Sequence, residues 1–305
     1  MACLAGVQQS FARAEGLLAE LSGWGLDEET IRRLCHAEAA RATATRPQRA
    51  TAEAFAVAVG DAELHIDAGK VNTQAGWRDV KVAVFARRRR GVPVEAAAWD
   101  RRDLPAPSVR SVIAAIEEAS SFGERCATEA RRLGLTDAAA LSVLGDGAEW
   151  IWKLSGRHFP GASENLDIYH GVEHVAEAAR RVLGEGMPAA RAAAERGRQG
   201  LLADGYLGVV EWVGTMAACV PAGGDGTALG ETLNYFAAHS GRLHYALRLR
   251  RGQSIGSGLV EGSIKQLVNR RLKQTGARWK VKHVGPLVEL CALANSPEWD
   301  AHWNN

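Results

Sequence analysis

Apolar and polar positions follow a helical period over most of the chain and alternate with period two in a few short stretches. Residues 7–57 are rich in Ala and Arg and have few β-branched residues, so we predict helices there. The pattern changes near residue 62, where 63–67 alternates apolar with polar side chains, and 78–85 does the same. We predict a strand in each stretch, with Gly69 ending the first.

The remaining pattern predicts further strands separated by helices. In chain order we expect a turn of four arginines at 87–91, a strand at 92–96, a helix at 108–133, a strand at 140–143, a helix ending near 157, a strand at 164–169 and a helix at 172–183. Residues 186–253 are rich in Ala, Gly and Arg and predict a helical insertion that is interrupted at 221–226. Strong helical spacing returns from residue 256.

This order predicts an α/β fold with a mixed sheet of five strands. Three antiparallel strands followed by two strands that helices connect is the order of a ribonuclease-H-like sheet, because parallel neighbours need a crossover. We therefore expect flanking helices and an all-helical insertion before the last helical part. The expected parts are a helical region at 1–57, a core divided between 58–185 and 254–305, and the insertion at 186–253.

Three carboxylates fall at positions that this fold brings together. Asp67 ends the first predicted strand, Asp146 lies between two glycines after the fourth, and Glu261 lies on the helix after the insertion. Taken singly, Asp146 fits a helix cap, Asp67 a turn residue and Glu261 an exposed helix position. Taken together, they would repel one another unless a cation neutralised them, and hard oxygen ligands favour Mg²⁺ or Mn²⁺. Two such ions can catalyse displacement at a phosphodiester.

Basic residues follow Glu261 closely along the chain. A solvated face is the simple interpretation of such a run, but a basic strip beside a metal site also suits a DNA backbone. The residues that we expect to contact DNA are Lys265, Arg270, Arg271, Lys273, Arg278 and Lys280.

Composition excludes several other classes. The chain has 305 residues, is 47% hydrophobic and carries a formal net charge of +2, a composition typical of globular proteins. No apolar run approaches the length of a membrane span, so we predict none. Its five cysteines are scattered, so we expect reduced thiols in the cytoplasm rather than a disulfide framework. The sequence has no phosphate-binding loop, so we predict no nucleotide cofactor. His170 and His174 lie one helical turn apart, but no third zinc ligand is evident.

Several blocks of the sequence resemble bacterial insertion-sequence transposases of the ISKra type, which are similar in plan to the mutator-like transposases. One block begins Asp146-Gly147-Ala148-Glu149-Trp150, and the others are at 76–82, 158–162, 166–174, 254–262 and 270–279. The resemblance implies a catalytic, metal-binding triad of Asp67, Asp146 and Glu261. It also implies that Asp167-x-x-His170 matches a motif near the active site that helps with DNA strands.

The resemblance further implies a DDE transposase that cleaves and transfers DNA strands with Mg²⁺, and works as a homodimer on the double-stranded DNA of transposon ends and target. We expect it in the bacterial cytoplasm, on the nucleoid when bound. The region before the first strand is short for this family, which suggests a truncated DNA-binding part. A catalytically weak DNA-binding remnant and a ribonuclease-H-like nuclease without strand transfer therefore remain alternatives.

Overall fold

One mixed five-stranded sheet forms the centre of the computed structural model, which describes residues 1–220 and 226–304. The strands are β1 (Asp61–Thr73), β2 (Gly76–Arg88), β3 (Val109–Ala115), β4 (Leu141–Gly145) and β5 (Ser163–Leu166). Their order in the sheet is β3-β2-β1-β4-β5. The first three strands pair antiparallel, whereas β4 runs parallel to both β1 and β5. The predicted α/β architecture with a mixed five-stranded sheet is therefore confirmed.

Helices cover both faces of this sheet. Four precede it: α1 (Ala2–Gln8), α2 (Phe11–Ser22), α3 (Glu28–Thr45) and α4 (Thr51–Val57). Three alternate with its later strands: α5 (Ala119–Arg132), α6 (Glu149–His158) and α7 (Ile168–Leu183). The predicted insertion contains α8 (Pro188–Asp204), α9 (Tyr206–Ala217), α10 (Thr227–Ala238) and α11 (Tyr245–Arg250), and its predicted interruption at 221–226 lies, apart from Gly226, outside the described residues.

The C-terminal part is helical, as the pattern predicted. It contains α12 (Gly258–Ile264), α13 (Arg270–Leu272), α14 (Val281–Ala294) and α15 (Trp299–Asn304). A single π-helical turn, Lys265–Asn269, joins α12 to α13. In the described part of the chain, no helix is both long and apolar enough to cross a bilayer.

Two hydrophobic cores lie on opposite faces of the sheet. On one face, Leu64 and Ile66 of β1 pack in a cluster with residues of α5, α6, α7 and the insertion. On the other face, Val82 of β2 shares a cluster with Ile31 of α3 and Leu287 of α14. The N-terminal helices are therefore one layer of the same globule as the C-terminal helices.

The third strand was predicted in the wrong place. Residues 92–96 form no strand; Val94 N–H instead donates to the Leu249 carbonyl of α11 at 3.1 Å, and Pro93 has no N–H to offer a sheet. The strand is β3, inside the stretch predicted as helix. Its Val and Ile residues satisfy a helical spacing, but β-branched side chains also favour strands, and periodicity alone does not separate the two over so short a run.

Two boundaries also differ from the prediction. Strand β1 does not end at Gly69 but continues to Thr73. Residues 167–169 are not strand, because the Asp167 side chain accepts hydrogen bonds from Tyr169 N–H at 2.6 Å and His170 N–H at 3.1 Å. Asp167 is thus the N-cap of α7, which begins four residues earlier than predicted.

Candidate active site

Strands β1 and β4 place Asp67 and Asp146 side by side. The last paired residues of the two strands are Ile66 and Gly145, and each aspartate directly follows its member of that pair. Neighbouring strands lie about 4.8 Å apart, and residues level with each other in parallel strands point to the same face. Because β4 ends here while β1 continues, the two carboxylates lie at an open notch in the sheet.

Gly69 brings the helix that carries Glu261 close to β1. A Cβ atom at Gly69 would lie 2.9 Å from Ile264 Cγ2 and 3.0 Å from Val268 Cγ1, so only glycine allows this contact. Glu261 precedes Ile264 by three residues and Val268 by seven, and it therefore shares their face of the helix. The glycine predicted as a strand terminator instead lets Glu261 approach the Asp67 side of the sheet.

The charges of these carboxylates act on one another. Burial raises the pKa of Asp67 to about 7, although its Oδ1 accepts a hydrogen bond from Ala68 N–H at 2.6 Å, which opposes the rise. The negative charges of Asp146, Glu261 and Asp167 each raise that pKa further. The three predicted triad residues and Asp167 therefore form one acidic cluster around the end of β4.

The turn that carries Asp146 is not a helix cap. The N-cap position of α6 belongs to Ala148, and Asp146 Oδ1 accepts the Ala148 N–H at 3.0 Å from two residues before it. Gly147 has a left-handed φ of +101°, which favours glycine. A Cβ there would also lie 2.6 Å from the Tyr235 hydroxyl. The sharp turn leaves the second carboxylate oxygen of Asp146 without a hydrogen bond to α6.

The helical insertion contributes side chains to this turn. Tyr235 of α10 donates its hydroxyl hydrogen to the Asp146 carbonyl at 3.3 Å. Burial, together with the charges of Asp146 and Asp167, raises the Tyr235 pKa above its usual range, so this hydroxyl stays protonated. Sequence reasoning missed Tyr235 because a tyrosine within a helix carries no local sign of its distant partner.

Asp167 joins the two motifs that flank the insertion in the sequence. It is 2% exposed, and its Oδ1 caps α7. Its Oδ2 accepts hydrogen bonds from both the N–H and the hydroxyl of Ser257, each at 2.5 Å. Ser257 is the residue that precedes α12. The side chain of Asp167 therefore positions the helix that bears Glu261. Both of its carboxylate oxygens already accept hydrogen bonds, so Asp167 is less suited to binding a metal than Asp67 or Asp146.

His170 lies near the cluster but not in it. Its ring is 5.4 Å from the ring of His174, which in turn stacks on Tyr235 at 3.7 Å. Burial, with the neighbouring charge of His170, lowers the pKa of His174. Across residues 1–220 and 226–304, no three His, Cys, Asp or Glu side chains stand at metal-binding spacing.

Among the described residues, the carboxylates of the acidic cluster do not stand at metal-binding spacing either, although their charges raise the pKa of Asp67. A charge can shift the pKa of a carboxyl group from several ångströms away. A metal site needs its oxygen ligands much closer together, at coordination distance from one ion. Mutual repulsion opposes that closer approach. The donor set fits Mg²⁺ or Mn²⁺ because it consists of hard carboxylate oxygens, and a cation would relieve the repulsion that raises the Asp67 pKa.

Five of the six predicted DNA contacts lie on the surface beyond this cluster. Lys265 Nζ is 3.9 Å from Glu261 Oε2, on the next turn of the helix. The exposed cations are Lys265, Arg270, Lys273, Arg278 and Lys280. They form a basic surface that begins beside the acidic cluster and continues through the π-helical turn.

Arg271 does not belong to that surface, and the prediction for this residue is corrected. Its side chain is 1% exposed, and its Nε donates to the Gly6 carbonyl at 2.8 Å. The guanidinium also lies over the rings of Phe11 at 4.7 Å and Trp279 at 5.0 Å. It therefore links the N-terminal helices to the C-terminal segment and is not accessible to a DNA backbone.

The turn of four arginines is also largely engaged within the protein. Arg87 Nε donates to the Phe55 carbonyl at 3.1 Å, and Arg90 Nε pairs with Asp61 at 3.0 Å. Arg88 pairs with the buried Glu63 at 3.0 Å. Most of this run therefore stabilises the start of the sheet.

A scan against models of protein families finds no match to this chain, and a search of curated proteins finds no significant match.

Proposed function

We propose that the chain is a DDE transposase on a ribonuclease-H-like core, which cleaves DNA and transfers the cut strand with Mg²⁺ or Mn²⁺. The observation that carries this proposal is the convergence of Asp67, Asp146 and Glu261, which are far apart in the sequence, on one notch of the sheet. The blocks around these residues also resemble ISKra-type transposases, and this likeness is the reason that strand transfer is included in the proposal.

The roles follow from where each side chain lies. Asp67, Asp146 and Glu261 would hold the metal, which when bound supplies charge stabilisation and a more acidic water or hydroxyl at the phosphodiester. Asp167 positions the Glu261 helix through Ser257, and Tyr235 holds the Asp146 turn. The exposed cations that begin at Lys265 would take the phosphates of double-stranded DNA. A homodimer on DNA is part of the proposal, since two ends must be handled together.

The same site also suits a nuclease that cuts without strand transfer, and the basic surface suits a remnant that only binds DNA. One assay separates the three. The purified full chain is incubated with Mg²⁺ and labelled duplex DNA taken from the ends of its own genomic element, together with a target plasmid. Joined products support the transposase, cut ends alone support the nuclease, and a gel shift without cutting supports the remnant.

Variants connect the result to the site. Asp146→Asn is expected to reduce cutting and joining to background while DNA binding stays near the wild-type level. Asp204→Asn is the matched control, because Asp204 is an exposed carboxylate at the end of α8, outside the cluster. Full activity of Asp146→Asn would refute the triad.

A further inference from the structure

The hairpin of β1 and β2 extends well beyond the acidic notch. Its last pair is Thr73 with Gly76, six residues of β1 past Asp67, which is roughly 20 Å at the rise of a strand. The tip is well ordered by its own contacts: Thr73 accepts a hydrogen bond from Ala75 N–H at 3.2 Å and donates one to the Gly76 carbonyl at 2.6 Å. A large aromatic side chain, Trp77, lies directly beside this turn and is 61% exposed.

A third chain segment pairs with the hairpin tip. Trp279 N–H donates to the Asn72 carbonyl at 3.0 Å, and Gln74 N–H donates to the Trp279 carbonyl at 2.8 Å, in a parallel bridge. The segment is fixed from behind, because the Trp279 ring lies under the buried Arg271 guanidinium and donates to the Leu272 carbonyl at 2.9 Å. The tip is therefore a short three-stranded surface with β1 in the middle.

Alternation assigns the two faces of this tip. Thr73 is fully buried and is level with Trp279, so these two side chains share the face that packs on the helices. Arg278 and Lys280 flank Trp279 and therefore point to the opposite face. Asn72, one residue from Thr73, points to that opposite face as well, and Trp77 is its direct cross-strand partner.

Trp77, Asn72, Arg278 and Lys280 thus form one surface, which we call the tip surface. Strand spacing separates the backbone of Trp77 from the backbone of the two exposed cations by about 10 Å. The nearest carboxylate on this face, Asp79, pairs with Lys70, so the surface keeps a net positive charge. An exposed aromatic ring beside cations is the arrangement that holds single-stranded nucleic acid, by base stacking and phosphate contact.

We infer that Trp77 stacks on an unpaired base of a single-stranded DNA segment, while Arg278 and Lys280 hold its phosphates. This inference rests on the proposed function. Five residues of β1 separate Asp67 from Asn72, so the two side chains point to opposite faces of the strand, and Asp67 shares the face of Thr73. The single-stranded segment on the tip surface therefore lies on the opposite face of the hairpin from the Asp67 carboxylate.

The test measures binding without added divalent cation, so that no DNA is cut. The probe is a duplex with a single-stranded 3′ extension that carries one 2-aminopurine, placed in turn at each of the first eight positions. Trp77→Ala is expected to weaken binding roughly 5- to 150-fold and leave the salt dependence unchanged, since no charge is lost. Trp77→Phe should recover most of the affinity, and the wild type should quench 2-aminopurine at the stacked position, a quenching that Trp77→Ala should lose.

Two further variants serve as controls. Trp24→Ala removes another exposed tryptophan, 45% exposed, in the loop after α2, and should leave the affinity unchanged. Lys280→Gln should reduce the slope of log affinity against log salt by about 0.7 to 0.9. Circular dichroism confirms that each variant is folded.

Each outcome distinguishes the inference from the proposed function. If the wild type binds the probe and folded Trp77→Ala binds it equally well, the inference is overturned and the proposed function is untouched. If the wild type binds no DNA at all, both are overturned. A loss that Trp77→Phe does not recover would also overturn stacking, because phenylalanine retains an aromatic face.

Discussion

Replacing Asp67 with Asn should stabilise the protein at neutral and alkaline pH. Burial of the wild-type carboxyl, with a further contribution from the neighbouring carboxylates, raises its pKa from 3.8 to about 7. Asparagine has nearly the same shape, carries no charge, and keeps the oxygen that accepts the Ala68 N–H. The substitution therefore removes an electrostatic cost of the folded state without removing its hydrogen bond.

The sign and size of the effect follow from proton linkage. Between pH 4 and 7 the unfolded chain has released this proton and the folded chain still holds it, so the free energy of unfolding falls as the pH rises. Above pH 7 the Asp67 carboxylate is ionised in the folded chain, which then carries the full electrostatic cost of that charge. A shift of about 3 pKa units corresponds to roughly 4 kcal/mol at most, and partial exposure of the side chain reduces this, so we expect about 2–4 kcal/mol. Below pH 4 the difference should vanish.

Thermal unfolding of the two proteins without divalent cation, measured from pH 4 to pH 9, tests this. At pH 8 the variant should melt higher by roughly 4–8 °C, at about 2 °C per kcal/mol for a chain of this size. Asp79→Asn is the control, because that exposed carboxylate lies outside the cluster, and its effect should stay within about 0.5 kcal/mol at every pH. A variant that is no more stable than the wild type at pH 8, or a gain that persists at pH 4, would refute the electrostatic account of the site.

Other predictions concern metal binding and packing. Mg²⁺ at about 100 times its dissociation constant should stabilise the wild type by about 2.7 kcal/mol at pH 8, and Asp146→Asn should lose this shift in a melting assay. Asp167→Ala should destabilise by about 3 kcal/mol in urea unfolding, and combining it with Ser257→Ala should be less than additive because the pair shares its hydrogen bonds. Gly69→Ala should lower both stability and cutting, because its Cβ meets Ile264, whereas Gly262→Ala, with open space around it, should not.

Local sequence was sufficient where the relevant signal is local. Alternation identified β1 and β2, and the two glycines around Asp146 marked a turn after a strand, so the neighbouring positions of Asp67 and Asp146 could be predicted. The third strand could not, since the Val and Ile residues of β3 fit either period and only the free edge of β2 decides between them. The role of Gly69 likewise depends on Ile264, a residue far along the chain.

Charge counts alone could not separate exposed from buried cations. Arg271 lies in a run of basic residues, and its neighbour Arg270 is exposed, but Gly6 and Phe11 from the distant N-terminal helices, together with Trp279, enclose the Arg271 side chain. Tyr235 is a similar case, because its contact with Asp146 crosses from the insertion to the sheet. Such roles are set by tertiary packing, which no local pattern encodes.

The contact between Gly69 and the Glu261 helix has a consequence for synthesis. Asp67 leaves the ribosome 261 − 67 = 194 residues before Glu261, which at 5–20 residues per second is an interval of roughly 10–40 s. During that time the first strands can pair, but the acidic cluster is incomplete. Since contacts between segments so distant in sequence form late in folding, the acidic cluster is completed only when almost all of the chain has been made.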